Sequence, residues 1–240
     1  MKLIVVGATG LVGSEIIRQS LEIDDITEVI ALARKFVQVE KNSPSSKLTN
    51  VIVRDYAEYP EDVKAKLSGA DACIWTVAIT PFRASNFPFA EVKRVCQDCT
   101  LAGFKAIYEA GPKIPFRFVY FSAEGTPRDP SHRPMFMGDY QVMRSHTENM
   151  VIGFPGQYPG TQICIAQPGV VINSTTWSRA TLAFLLRGVN LFTRKIPNVD
   201  RSELSAAVLH QAVHGVERET LLNADLVRLG QLALKARGYL

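Results

Sequence analysis

The stretch KLIVVGATGLVG, residues 2–13, constrains this chain more than any other. KLIVVG (2–7) is an unbroken apolar run of the kind found in strands covered on both faces. Gly7, Gly10 and Gly13 then follow as G-x-x-G-x-x-G, and Leu11, Ile16, Ile17 and Leu21 recur at helical spacing over 11–22. A strand that passes through glycines directly into a helix has the form of a phosphate-binding turn. Gly7 permits a tight exit from the strand, Gly10 lets backbone amides approach a pyrophosphate, and Gly13 lets the helix pack close to the sheet. Thr9, Leu11 and Val12 complete the segment expected to touch the nucleotide. Unpaired N–H groups and positive potential at the helix start favour phosphate there.

The alternation continues along the chain. EVIALAR (28–34), NVIVR (50–54), ACIWTVA (72–78), FRFVYFS (116–122) and TQICIAQ (161–167) repeat the strand signal. Helical spacing fits 58–68, 87–111, 139–153, 176–188, 203–216 and 225–237. Val/Ile-rich strands separated by helices predict an α/β fold: one Rossmann-like domain over 1–240, a doubly wound parallel sheet with helices on both faces. KNSPSSK (41–47) and EGTPRDPSHRPM (124–135) read as surface loops of that domain, not linkers. In such sheets ligands bind beyond the strands' carboxyl ends, so the substrate loops are expected at about 79–90, 123–139 and 170–200.

Hydrophobic residues are 47% and charged residues 21% of the chain, ordinary for a folded globular protein. The net charge of +4 is scattered, which suits a small anionic ligand and gives no nucleic-acid patch. No apolar run is long enough to span a membrane, and the amino terminus does not read as a secretion signal. A reducing, cytoplasmic setting with Cys73, Cys96, Cys99 and Cys164 as free thiols is therefore expected.

The second strand's end selects the nucleotide. NAD sites usually place an acid there for the ribose 2′-hydroxyl. This chain has Arg34 and Lys35, and Asp24 and Asp25 precede the strand. Two cations favour a 2′-phosphate, so the expected cofactor is NADP(H). Asp55, after the third strand, is placed to accept from the adenine amine.

The glycine spacing, Arg34, Asp55, Ser122 at the end of the fifth strand, Tyr140-x-x-x-Arg144 opening the next helix, and QPGVV (167–171) together resemble the short-chain dehydrogenase/reductase superfamily. Glycine spacing, length and the late segment RSELSAAVLHQAVHG (201–215) are similar to its atypical branch, which includes NmrA-like and Tat-interacting-protein-like NADP-binding proteins. The resemblance covers essentially the whole chain. It implies Tyr140 as the acid/base, Ser122 orienting the substrate oxygen, Val77 and Ala78 lining the cofactor, and Pro168, Gly169, Val170 and Val171 along the nicotinamide. Arg144 stands where that family carries a lysine that holds the nicotinamide ribose and lowers the tyrosine pKa.

Physically, Arg144 shares a helix face with Tyr140 and can donate to ribose oxygens, and its fixed charge pulls a phenol's pKa down. It cannot relay a proton. Arg144 and Glu148 are also spaced as an ordinary ion pair on an exposed helix face. Cys96-Gln-Asp-Cys99 falls inside a helix without a second ligand pair, so no metal site is expected, and the four histidines do not complete a zinc pattern. Asn173-Ser-Thr is a glycosylation sequon in a chain without a secretion signal. Phe82, Phe87, Met135, Phe136 and Trp177 lie in the substrate loops and suit a small apolar or aromatic molecule. The leading expectation is an NADPH-dependent oxidoreductase acting on a carbonyl or activated double bond. The alternatives are a non-redox isomerase, epimerase or dehydratase on the same scaffold, and an NADP-binding regulator without catalysis.

Overall fold

The computed structural model describes residues 1–39, 45–135, 137–173 and 197–239. Strand β1 (Lys2–Val6) runs into helix α1 (Leu11–Leu21), followed by β2 (Glu28–Ala33), β3 (Leu48–Ile52), α2 (Glu61–Leu67) and β4 (Ala72–Trp75). Next come α3 (Pro81–Ala84), α4 (Phe89–Lys93), α5 (Cys99–Glu109), β5 (Phe116–Phe121), α6 (Gly138–Ile152) and α7 (Phe154–Gln157). The chain continues through β6 (Thr161–Gln167), β7 (Val170–Ile172), β8 (Asn198–Asp200), α8 (Arg201–His214), β9 (Thr220–Leu222) and α9 (Asn223–Ala236).

Seven strands form one sheet in the order β3-β2-β1-β4-β5-β6-β9, every pair parallel. The order reverses between β1 and β4, where a doubly wound sheet opens a crevice for a ligand. Strand residues alternate between two buried faces. Leu3, Val5, Val29, Ala31, Ile74 and Val119 pack with Ile16 and Ile17 of α1, Leu204 and Val208 of α8, and Leu226 of α9. Ile4, Val6, Ile30, Leu32, Trp75, Phe118 and Tyr120 pack with Leu67 of α2, Phe104 and Ile107 of α5, and Phe154 of α7. Each such fully buried side chain contributes roughly 1.5–3 kcal/mol, which is why strands covered twice read as continuous apolar runs. The expected doubly wound α/β fold is the one observed.

Several local expectations need correction. The helix expected over 87–111 is two α-helices joined by a π-helical segment, Arg94–Asp98. Its wider turn carries one residue more than an α-helix would. The fourth strand ends at Trp75, so 76–78 are loop. Three short strands, β7, β8 and β9, were not anticipated; β7 and β8 pair with each other in a separate parallel ribbon. The helix expected over 176–188 lies outside the described residues, as do Phe136 and Trp177. Helix α8 begins where Asp200 accepts from the Ser202 backbone N–H at 2.8 Å and Glu203 accepts from the Asp200 N–H at 3.4 Å, a capping box.

Candidate functional site

The turn after β1 lies at the sheet's reversal point. Gly7 has φ +82°, and a Cβ there would come within 2.5 Å of Thr76 Oγ1, just beyond β4. Thr76 Oγ1 in turn donates to the Val6 carbonyl at 2.8 Å, closing the two strand ends together. A Cβ on Gly13 would lie 2.3 Å from the Gly7 carbonyl oxygen, so only glycine lets α1 approach this closely. Gly10 precedes the helix in an extended conformation with no side-chain cap, and no acidic residue occupies the first turn. Thr9, Gly10 and Leu11 are exposed, Val12 is half-buried and Gly13 is buried. The turn therefore presents uncapped helix amides to an open surface, which suits phosphate oxygens.

Arg34 and Lys35 project from the end of β2 and are exposed. Burial pushes the pKa of Tyr56, in the turn after β3, upward against the nearby Arg34 charge. Asp55 lies in that turn, but its carboxylate is already engaged. Arg94 Nη1 donates to its two oxygens at 3.0 and 2.8 Å, and the Ala57 N–H donates at 2.9 Å. The Ala57 amide and the Arg94 charge outweigh partial burial and hold Asp55 below the usual carboxylate range. Arg94, on the π-helical segment, also pairs with Glu91 at 2.8 Å. An adenine contact by Asp55 would thus use lone pairs that Arg94 leaves open.

Val77 is buried beside Gly7, with Cγ2 at 3.2 Å from where a Gly7 Cβ would stand, and Ala78 is half-buried. Past β6, Pro168 accepts from the Glu124 N–H at 2.9 Å, and the Gly169 N–H donates to Asn223 Oδ1 at 2.8 Å. Val170 and Val171 form β7.

Helix α6 crosses the carboxyl ends of β5 and β6. Its buried stripe is Tyr140, Met143, Arg144, Thr147, Glu148 and Val151. Tyr140 is only 5% exposed, and its hydroxyl donates to the Ile79 carbonyl at 3.1 Å. Burial pushes its pKa up, the Arg144 charge pulls it down, and the result stays above the ordinary value. The expected net lowering by Arg144 is therefore not found, because desolvation of the phenolate dominates. Arg144 is 1% exposed. One guanidinium nitrogen, Nη2, donates to the Phe121 carbonyl, and its carbon lies 5.0 Å from the centre of the Tyr120 ring. Nε and Nη1 are buried without a partner. Arg144 thus keeps two buried, unsatisfied donors on a permanent cation.

Glu148 is also 1% exposed, so Arg144 and Glu148 are not a surface ion pair. The Glu148 carboxylate accepts from Gln167 Nε2 at 3.0 Å on both oxygens. Ser122, just past β5, is buried, and its N–H extends the sheet by donating to the Ala166 carbonyl at 2.8 Å. Its Oγ lies 3.4 Å from Thr126 Oγ1, which donates to the Ala123 carbonyl at 2.9 Å. Arg144 thus meets the end of β5 next to Ser122, while the Tyr140 hydroxyl reaches the loop after β4. Glu148, Gln167 and Thr126 complete a polar cluster that the sequence reading did not anticipate. A signal for Glu148 existed: Tyr140, Arg144 and Glu148 recur at intervals of four, so burial of the first implies burial of the others.

On the substrate side, Phe82 of α3, and Phe87 and Met135 on the segments beyond β4 and β5, are exposed. Cys96 and Cys99 are buried. Cys96 Sγ accepts from the Ile79 N–H at 3.3 Å, which fixes the same backbone segment that meets Tyr140. Among the described residues no group of three His, Cys, Asp or Glu side chains could hold a metal ion, and no helix is long and apolar enough to cross a membrane.

No protein-family model matches the sequence. Leucinostatins biosynthesis cluster protein T of Purpureocillium lilacinum is 31% identical over 122 residues, covering 51% of this chain and 43% of that protein. The chain thus matches less than half the length of that relative. Among solved structures, the dTDP-glucose 4,6-dehydratase DesIV of Streptomyces venezuelae, determined with NAD and TYD bound, is similar over 99% of this chain and 81% of its own, with TM-score 0.64 and 17% identity. A short-chain dehydrogenase/reductase of Saccharomyces cerevisiae is similar over 95% of this chain and 98% of its own, with TM-score 0.65 and 13% identity. At these identities the likeness is one of fold: the chain has the doubly wound, Rossmann-like architecture of short-chain dehydrogenases/reductases and of nucleotide-sugar dehydratases.

Proposed function

We propose that the chain is an NADPH-dependent oxidoreductase of the atypical short-chain type, working as one dinucleotide-binding domain and reducing a carbonyl or activated double bond of a small organic molecule. The observation that carries this reading is the buried Arg144 guanidinium, bonded to the Phe121 carbonyl next to Ser122 and one turn from Tyr140 on α6, with Nε and Nη1 unsatisfied. The uncapped turn at Gly7–Gly13 would hold the pyrophosphate, and Arg34 and Lys35 the ribose 2′-phosphate. Arg144 Nε and Nη1 would donate to the nicotinamide ribose hydroxyls, while Val77, Ala78 and the segment Pro168–Val171 line the nicotinamide side. When bound, the reduced nicotinamide supplies hydride. Ser122 holds the substrate oxygen, and Tyr140 gives it a proton; the raised Tyr140 pKa keeps that proton available at neutral pH. Phe82, Phe87 and Met135 suit an apolar substrate, and a relative named for a biosynthesis cluster agrees with a small organic one.

A second reading is an NmrA-like NADP-binding regulator without turnover. It is favoured by the Tyr140 hydroxyl being already committed to the Ile79 carbonyl, a contact that must open before substrate can be protonated. The two are separated by titrating the purified protein with NADPH and NADH, then following reduced-nicotinamide absorbance over a panel of ketones, aldehydes and quinones. Turnover supports the reductase; tight NADPH binding with no turnover on any compound supports the regulator or a non-redox isomerase, epimerase or dehydratase. Absence of nucleotide binding would refute all of them.

A further inference from the structure

Cys96 is fully buried, and the reading above gives its thiol no task. It stands on the π-helical segment, where the Thr100 hydroxyl donates to its carbonyl at 3.0 Å. Its Sγ meets both polar groups of one residue in the loop after β4. The Ile79 N–H donates to Sγ at 3.3 Å, and the thiol donates back to the Ile79 carbonyl oxygen at 3.6 Å. That oxygen is also the one that accepts from the Tyr140 hydroxyl at 3.1 Å. Val92, Cys96, Tyr140 and Met143 form one buried cluster, with Ala78 and Ile79 packed against it.

The hydrogen-bond inventory is restrictive. A carbonyl oxygen has two lone pairs, and a thiol and a phenol have one hydrogen each, so Cys96 and Tyr140 together fill the Ile79 oxygen. A phenol cannot give one hydrogen to Ile79 and to a substrate at once, so Tyr140 must leave Ile79 before it acts. When it leaves, the thiol still donates to the Ile79 carbonyl and still accepts from the Ile79 N–H. Ile79 then keeps a partner for each of its backbone polar groups, which a side chain without a donor at position 96 would not provide.

We propose that Cys96 is a positioning residue for Tyr140: it holds Ile79 in place while the phenol moves between the Ile79 carbonyl, where it rests, and a substrate oxygen. Because that carbonyl only accepts, it retains the protonated phenol and rejects the phenolate. The hydroxyl rests at Ile79, turns to the substrate oxygen to give its proton, and returns once solvent has replaced that proton. Cys96 is unchanged by the cycle. The inference rests on Tyr140 being the proton donor of the proposed reduction, and it turns the resting contact at Ile79 from an obstacle into one station of the phenol.

The test has two arms. In the first, which needs no turnover, the S–H stretch of the full chain is recorded by infrared spectroscopy, with Cys96→Ala identifying the Cys96 band. Tyr140→Phe removes the competing donor from the Ile79 oxygen, so the thiol bond should strengthen and the band should move to lower wavenumber. An unmoved band overturns the inference whether or not the protein is an enzyme. In the second arm, carbonyl reduction by NADPH is compared in wild type, Cys96→Ala and Cys96→Ser. Cys96→Ala should lower kcat by about 2- to 10-fold, the worth of one modest hydrogen bond, with NADPH affinity unchanged. Cys96→Ser, which keeps a donor, should recover most of the loss. In a Tyr140→Phe background, Cys96→Ala should change the residual rate by less than about twofold, since the two residues act through one oxygen. A serine variant as slow as the alanine variant, or an equal loss in both backgrounds, refutes the positioning role. A moved band with no turnover on any carbonyl compound keeps the Cys96–Ile79–Tyr140 coupling and removes the reductase reading.

Discussion

Replacing Arg144 with methionine separates what the guanidinium does for the fold from what it does for a ligand. In the free protein Arg144 gains one charge-assisted hydrogen bond to the Phe121 carbonyl, worth about 1.5–3 kcal/mol, and a buried contact with the Tyr120 ring, worth about 2 kcal/mol. Against this stand Nε and Nη1, each a buried donor without a partner at about 1–3 kcal/mol, together with the desolvation of the charge. The two sides are comparable, and methionine fills similar space without polar atoms. Thermal unfolding of Arg144→Met without nucleotide should therefore lie close to wild type or above it. NADPH affinity, read by fluorescence titration, should drop about 10- to 100-fold, since one or two charge-assisted hydrogen bonds to the ribose are lost. Severe destabilisation with unchanged affinity would show that the guanidinium is a structural part of the core, and the ligand-facing assignment of its free donors would be refuted.

Other substitutions probe the remaining parts. Arg34→Ala should weaken NADPH binding more than NADH binding by calorimetry; equal losses would remove the 2′-phosphate assignment. Tyr140→Phe should lower kcat strongly with NADPH affinity nearly intact, and an unchanged kcat would take the acid/base role away from Tyr140. Gly13→Ala puts a Cβ 2.3 Å from the Gly7 carbonyl, so the turn must shift; nucleotide binding should be lost and Tm should fall by about 5 °C, within the range for an overpacked site. Glu148 has a folded pKa above its unfolded value of about 4.3, so its contribution to stability is full below that pH and is lost as pH rises through the folded value. The stability difference, wild type minus Glu148→Gln, measured by urea unfolding should therefore decline with pH across that window; a difference that rises or stays constant would contradict the burial of this carboxyl.

How much of this was legible in the sequence follows from what each pattern encodes. The glycine turn was readable because its three elements, strand, spacing and helix, reinforce one another. The main strands were readable because cover on both faces forces an unbroken apolar run. Strands β7, β8 and β9 have three residues each, too few to establish a period, and two of them pair away from the main sheet. Spacing of four placed Tyr140, Arg144 and Glu148 on one face but could not say whether that face looks at water or at the sheet. The Glu148 reading failed there, and with it the cluster around Ser122. Asp55 was placed in the correct turn, yet its partner Arg94 lies 39 residues away and no local pattern could announce it.

The π-helical segment has a consequence for register. A helix that gains one residue rotates everything beyond it by about 100° relative to what came before. On the near side, Val92 and Cys96 pack around Tyr140 and Met143; on the far side, Cys99, Phe104 and Ile107 enter the main core. The π-helical turn thus lets one continuous helical stretch face both partners. Deleting one residue within 94–98 should leave a more regular helix and a less well-formed site, a trade that points to Tyr140's surroundings, and not to helix stability, as what keeps the extra residue in place.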